Sequence, residues 1–366
     1  MADRRPRPPS PAYPRAVSRR TRLILQSSLG LAAGATLVAA VVHWAGRDEV
    51  LATLRSGDPL LLAAAFALFT TQTLTMPLRW WLALRMLGHR VRFVSILRAN
   101  CVSNVVNFFA PGHFGEPLVT AWLARAGRAA GVESFAVLIA CKAVATLLNL
   151  IVLLICLPLL ATEEWRGPLA QTAAITGLLV LAAIGLLGTL LHPAPARWAT
   201  AWLVGRGPRA DRLRLALERF RAVLAVFARR PDVLGVVLAT SALKVAAMVA
   251  AFALIYAAYG APVGFAGALF LEAMDALGGI LAVWIPANLG VQEAIQVSAA
   301  AGGLSVDAAV AAAASLTSKG VLILHVALGG LLALAAAPWD PLSSSPADPS
   351  AGPSDAGVEA PAGTRR

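Results

Sequence analysis

Glutamates follow two interruptions of otherwise apolar sequence. The stretch PGHFGE at 111–116 and the stretch PANLGVQE at 286–293 both run proline, three residues, glycine and then glutamate. A carboxylate inside a membrane can bind a cationic headgroup or carry a proton, and placing it there costs about 2.5 to 3.5 kcal/mol. A carboxylate that stabilises a helix start contributes only about 0.3 to 1 kcal/mol. We therefore favour a functional role for Glu116 and Glu293 over a purely structural one.

Other polar residues recur at helical spacing near the same interruptions, which places each set on one face of a helix. A polar face within an apolar segment is either hydrated or bound to a polar group. We therefore count these residues, apart from Asn100 and Gln296, as candidates for a binding or transport site. The sets are Asn100, Asn104 and Asn107 before the first interruption, Glu272 and Asp275 before the second, and Gln292 and Gln296 after it.

The three lysines of the chain, Lys142, Lys244 and Lys319, all lie within apolar segments. A lysine near the end of a span can extend its amine to the membrane interface at little cost. That explanation is harder to apply to all three, because arginine serves almost every loop position. We expect the lysines to face the interior of a helix bundle and to pair with a bound phosphate or with an acid of the second interrupted segment, Glu272, Asp275 or Glu293.

These residues must be positioned by membrane helices. The 366 residues have a mean hydropathy of +0.72, with 58% apolar and 14% charged residues. Apolar runs near or above bilayer-spanning length predict an all-α polytopic membrane protein, with six full spans and two segments broken by proline and glycine. The predicted spans are 23–44, 59–78, 134–161, 168–191, 232–259 and 306–337, and the broken segments are 94–123 and 264–304.

The breaks themselves predict a cavity. Pro111, Gly112 and Gly115 interrupt the first segment, and Pro286 and Gly290 interrupt the second. Non-helical backbone at membrane depth persists only where protein or a water-filled space satisfies its polar groups. A helix begins after each break, and its unpaired N–H groups favour a phosphate or carboxylate. We expect the two helix starts to face each other across a site for an anionic group.

The arginines predict the topology. If both termini are cytoplasmic and both broken segments return to the side they entered from, 25 of the 28 arginines lie inside, as the positive-inside rule requires. Three spans then separate the broken segments, so they enter from opposite faces, as in an inverted repeat. We expect a basic disordered cytoplasmic tail over 1–22, a membrane domain over 23–337 and a disordered tail over 338–366. The basic segment 207–230 is either an amphipathic helix on the inner leaflet or a solvated linker.

The chain resembles a known family, the flippase-like transmembrane region of lysylphosphatidylglycerol synthases, which also occurs as free-standing membrane proteins. The resemblance rests on NFFAPGHFGEPL, on IPANLGVQEA and on the following GGLSVDAAVAAAASLTSKGVLIL, and it covers roughly residues 25–337. It implies movement of a headgroup-bearing lipid between leaflets. The family pattern usually has arginine where this chain has Val119 and Gln292, and a Glu-Arg pair where it has Cys141 and Lys142, so the family's substrate is not assumed.

The functional prediction is therefore translocation of a phospholipid or lipid-linked headgroup, anionic or zwitterionic, across the cytoplasmic membrane. A non-transporting scaffold or regulator of a lipid-synthesis enzyme is the alternative. An embedded headgroup-modifying enzyme ranks lower, because no HExxH, GxSxG or acidic metal motif occurs. We expect no catalytic activity, no cofactor, no metal and no nucleic-acid partner. The oligomeric state, the lipid and the energy source stay open.

Overall fold

The computed structural model describes residues 19–110, 114–125, 131–159 and 207–335, with positions 171, 174–178, 181–182 and 185. The described chain is helical apart from short connections and contains no strand, as the all-α prediction requires. The predicted tail 338–366 lies outside the described residues, as do positions 1–18. The helices are α1 (Arg19–Trp44), α2 (Arg47–Ser56), α3 (Pro59–Met86), α4 (Phe93–Phe109), α5 (Gly115–Arg125), α6 (Gly131–Leu159), α7 (Pro208–Arg229), α8 (Pro231–Ala258), α9 (Phe265–Leu281), α10 (Val291–Ser298) and α11 (Ala308–Ala335).

Four helices of the described chain are long and apolar enough to cross a membrane, namely α3, α6, α8 and α11. The apolar part of α1 and the following α2 form a fifth candidate, although the pair bends by 89°. The bend falls at Gly46, whose φ of 84° is a conformation that glycine adopts at little cost. The multi-pass prediction is therefore confirmed. The predicted span 168–191 lies largely outside the described residues, and α1 begins four residues before the predicted membrane boundary.

Local sequence explains where the long helices begin. The side chain of Asp58 accepts a hydrogen bond from the backbone N–H of Leu60 at 2.8 Å, and Pro59 occupies the first turn of α3. Proline also opens α8 at Pro231, where its missing N–H costs nothing because first-turn donors have no helical partner. The basic segment 207–230 is a helix, α7, which buries Leu224 against the bundle.

Both broken segments fold back on themselves. Gly115, at the start of α5, lies so close to Ser103 of α4 that no side chain would fit between them. Gln292 of α10 lies beside Gly278 of α9, and the π-helical turn Ala299–Gly303 then brings Gly303 against Phe270. The helix pairs α4–α5 and α9–α10, here called the first and second hairpins, are therefore reversals of the chain rather than kinked continuous spans.

The helix order repeats along the chain. A 28-residue helix beginning with proline, a 17-residue helix, a break, a short helix and a long helix occur in α3–α6 and again in α8–α11. We call these the first and second repeats. Their leading helices pack antiparallel, since the backbone N–H of Asp58 donates to the carbonyl of Ala258 at 3.0 Å. Antiparallel packing of equivalent helices is the arrangement that an inverted repeat produces.

Candidate functional site

A cavity of about 720 Å³ lies inside the helix bundle. Its wall includes residues of α3, α4, α6, α8, α9 and α11 and residues at both breaks, among them Ala110, Ile285 and Asn288. Non-helical backbone in this protein therefore borders a cavity, as the proline and glycine pattern predicts. The wall is mixed, because apolar side chains such as Phe69 alternate with amides and charged groups.

At the first hairpin, one asparagine joins the two helices. The side-chain oxygen of Asn107 accepts a hydrogen bond from the backbone N–H of Gly115 at 2.7 Å, and its Nδ2 donates to Glu116 Oε1 at 3.2 Å. The amine of Lys142, from α6, also donates to Glu116. Asn107 thus satisfies the helix start while Lys142 neutralises the buried carboxylate, whose side chain is 5% exposed.

At the second hairpin, the glutamate itself satisfies the helix start. The carboxylate of Glu293 accepts from the backbone N–H of Gly290 at 2.5 Å, and its other oxygen lies 3.0 Å from the amine of Lys319. Lys319 also donates to the carbonyl of Ala287 at 3.1 Å and to Gln292 Oε1 at 2.9 Å. One lysine of α11 therefore holds the whole turn in place.

The two glutamate-lysine pairs have the same register. Lys142 follows Glu116 by 26 residues, and Lys319 follows Glu293 by 26 residues. In each repeat the pair joins the start of the helix after the break to the next long helix. This common spacing ties each hairpin to its neighbouring span by an ion pair, and it supports the repeat independently of the helix lengths.

A third ion pair and a bound carboxylate complete the second repeat. Lys244 of α8 donates to Glu272 of α9, whose side chain is 1% exposed. Asp275, one turn further along α9, accepts from the side-chain amides of Gln292 and Gln296. Each of the three acids Glu272, Asp275 and Glu293 in the second hairpin therefore has a cationic or amide partner.

The structure separates the predicted site residues into two groups. One group borders the cavity, and the other lies behind it and supports the hairpins, which corrects the expectation that all of them line the path. Pro111 and Gly112 lie outside the described residues. The cavity residues are Asn104, Asn107, Glu116, Lys142, Lys244, Asp275 and Gln292, and the supporting residues are Gly115, Glu272, Pro286, Gly290, Glu293 and Lys319.

The structure corrects two predictions about charged groups, one on the partners of the lysines and one on an anion site. Lys244 and Lys319 pair with acids of the second segment as predicted, but Lys142 pairs with Glu116, because α5 packs against α6. The predicted anion site between two open helix starts is not formed in the described residues. The backbone donors of Gly115 and Gly290 are already taken by Asn107 and Glu293.

Several polar residues of the cavity wall were not among the predicted site residues. Arg79 and Trp80 of α3, Asn100 of α4 and Gln72 of α3 all border the cavity. Arg79 belongs to the cluster of arginines at the end of a span, which the positive-inside rule explains without any site. Arg79 differs from the other arginines of this cluster because it is buried, with 7% of its surface exposed.

Comparison with known families decides the wider assignment. The model of the family described as lysylphosphatidylglycerol synthase TM region matches residues 28–330. The chain belongs to this family. No curated protein matches the chain. Membership of the lysylphosphatidylglycerol synthase TM region indicates a membrane lipid-related function. The matched residues agree with the extent of the resemblance seen in the sequence, which was roughly 25–337.

The departures from the pattern of the lysylphosphatidylglycerol synthase TM region now have structural roles. Val119 is 2% exposed and packs in an apolar cluster with Ile96 and Leu138, where an unpaired arginine would be costly. Gln292 donates its amide N–H to Asp275 and accepts from Lys319 through its oxygen. A neutral amide thus bridges an acid and a lysine at a position where the family usually has a positive charge.

Proposed function

We propose that this protein moves a phospholipid or lipid-linked headgroup between the leaflets of the cytoplasmic membrane. The observation that carries the proposal is the cavity bordered by both hairpins, which contains amides and charged groups within a bundle of membrane-spanning length. Polar groups at this depth give a headgroup partners that lipid tails cannot offer. Its volume lies within the range of about 300 to 1,000 Å³ typical of small-ligand sites, so it suits a headgroup while acyl chains stay in lipid.

The ion pairs support the same proposal. Glu116 of α5 and Lys142 of α6 both border the cavity within the first repeat, and Lys142 has a third of its side chain exposed. When a headgroup enters the cavity, its phosphate can replace Glu116 as the partner of the Lys142 amine. Glu293 and Lys319 lie behind the cavity and hold the second hairpin. We therefore assign contact with the headgroup to the first pair and stability to the second.

The test is transport by the purified full chain in liposomes. A phospholipid with a fluorescent headgroup is loaded, and its arrival in the outer leaflet is followed by chemical quenching. We expect transport above that of protein-free liposomes, and Glu116→Gln should slow it about tenfold or more, since a hydrogen bond to a charged group contributes about 1.5 to 3 kcal/mol. Glu218→Gln, on the exposed side of α7, is the matched control.

Two results would count against the proposal. Transport unchanged by Glu116→Gln would remove that residue from the path. Absence of transport by the wild-type protein, together with co-purification of a lipid-synthesis enzyme, would favour the scaffold alternative. One observation favours that alternative: α7 buries Leu224 and Phe227 in the bundle and leaves Glu218 and Arg214 on its exposed side, available to a partner.

A further inference from the structure

The first repeat contains a buried positive charge without a negative partner. Arg79 of α3 is 7% exposed and borders the cavity, and its Nε has no hydrogen-bond partner. No carboxylate of the described residues lies within ion-pair distance of it. Burying an unpaired charge is expensive, and proteins rarely do so without a ligand or a compensating group. An arginine that serves only to mark the cytoplasmic end of a span would be exposed, as Arg85 is on the same helix.

Two further groups on the cavity wall also lack hydrogen-bond partners. Asn100 of α4 is 1% exposed, and neither its amide nitrogen nor its amide oxygen has a hydrogen-bond partner. The indole N–H of Trp80, which is 3% exposed, has none either. Helices α3 and α4 pack together, and all three residues border the same cavity. Buried polar groups are nearly always satisfied, so three unsatisfied ones in one wall indicate a ligand site.

The second repeat indicates what the first one lacks. Gln72 and Lys244 are each the fourteenth residue of their repeat's leading helix, and Asn100 and Glu272 are each the eighth residue of the next. In the second repeat these positions form the ion pair between Lys244 and Glu272. In the first repeat Gln72 Oε1 and both amide atoms of Asn100 are unsatisfied. The first repeat thus keeps open the positions that the second repeat fills internally.

The unsatisfied groups of Arg79, Asn100 and Trp80 include several hydrogen-bond donors, which favour an anion with several oxygens. A guanidinium, an amide N–H and an indole N–H are all donors, and arginine binds phosphate through two parallel N–H groups. Arg79 lies seven residues before the end of α3, which is about 10 Å along the helix axis. That depth is near the headgroup layer, because α3 is longer than the hydrocarbon core is thick. The position suits a phosphate that is attached to a lipid.

We propose that Arg79, Asn100 and Trp80 form the subsite that binds the phosphodiester group of a membrane lipid. This deepens the proposed transport function and rests on it for the role of the bound lipid. The subsite requires the phosphate and makes no demand on the rest of the headgroup, so phosphatidylglycerol and phosphatidylcholine both bind, whereas diacylglycerol with the same tails does not.

The experiment measures lipid binding and thermal stability on the same full-length variants. Short-chain phosphatidylglycerol, phosphatidylcholine, diacylglycerol and inorganic phosphate are titrated against purified protein by native mass spectrometry. Arg79→Met and Asn100→Leu should each weaken phospholipid binding about tenfold or more, since each removes donors to a charged group. Both variants should also raise the melting temperature of the lipid-free protein, because they replace unsatisfied buried polar groups by apolar ones of similar size. Arg85→Met, which removes an exposed charge that stacks on Trp81, is the matched control for binding and should leave phospholipid binding unchanged.

The combined readout separates binding from a structural role. Weaker phospholipid binding with a higher melting temperature supports the subsite, whereas a lower melting temperature with unchanged binding overturns it. Equal binding of diacylglycerol and phospholipid also overturns it. Arg79-dependent binding of inorganic phosphate without binding of phospholipid overturns the assignment to a lipid. Loss of binding in Arg79→Met with no transport by the wild type would refute transport and keep the subsite, and the converse result would refute the subsite and keep transport.

Discussion

The two repeats share a scaffold and differ in how their buried polar groups are satisfied. In the second, Glu272, Asp275 and Glu293 all have partners within the protein. In the first, Glu116 is paired with Lys142, but Arg79 and Asn100 on the cavity wall have no described partner. The second repeat is internally neutralised, whereas the first is left incomplete.

Under the proposed transport function, this difference is a division of roles between the two repeats. An inverted scaffold allows two equivalent conformations with opposite access, which requires only that the helices repeat. Recognition of a headgroup requires unsatisfied groups, which destabilise the protein until a ligand binds. Placing them in one repeat confines that cost to one wall of the cavity. The second repeat, with its two ion pairs and its amide bridge, keeps its buried charges neutralised within the protein.

The largest expected effect compares the two equivalent lysines. Lys319→Met leaves Glu293 buried without its cation and should destabilise the protein by about 3 to 5 kcal/mol. Lys142→Met should cost about 1 to 3 kcal/mol, because Lys142 is partly exposed to the cavity, where water can replace it. Denaturant titration in detergent micelles measures both. Equal losses would contradict the view that only the second pair is sealed inside the protein.

A graft of the second repeat's ion pair onto the first gives the next effect. The double variant Gln72→Lys with Asn100→Glu places a lysine and a glutamate at the positions of Lys244 and Glu272. We expect the new pair to close the subsite and weaken phospholipid binding about tenfold, which is about 1.4 kcal/mol. Circular dichroism checks that helicity is retained. Unchanged phospholipid binding by a folded double variant would break the correspondence between the repeats.

The smallest expected effect lies at the contact between the repeats. The rings of Phe69 in α3 and Phe252 in α8 meet edge to face, with centroids 6.4 Å apart. A double-mutant cycle with leucine at both positions should give a coupling energy of about 0.5 to 1.5 kcal/mol, because aromatic pairs add this much beyond their buried area. Thermal unfolding of the four proteins measures it. A coupling near zero would mean that the antiparallel contact depends on shape alone.

Much of the architecture could be predicted from single residues and short patterns. Hydropathy located α3, α6, α8 and α11, and proline with glycine located both breaks, since these signals are local. Partner choice could not be predicted in the same way. Lys142 pairs with Glu116 because α5 packs beside α6, and no local signal near Lys142 states which acid that packing brings to it.

Arg79 was not predicted as a site residue, because its position near the end of a span already explains a positive charge. It stands with Arg85 near the end of a span, where positive charge is expected for topological reasons. One sequence signal could have drawn attention to this wall. Both leading helices begin with proline, and aligning Pro59 with Pro231 places Asn100 opposite Glu272, a glutamate with a lysine partner.

The sequence by itself determined a helical membrane protein with two interrupted segments, because burial of apolar side chains in lipid and the conformational limits of proline act on neighbouring residues. Only the tertiary structure decided which polar groups neutralise one another and which stay open on the cavity wall. Electrostatic and hydrogen-bond satisfaction depends on distances between helices far apart in the chain, and those distances are set when all the helices pack together.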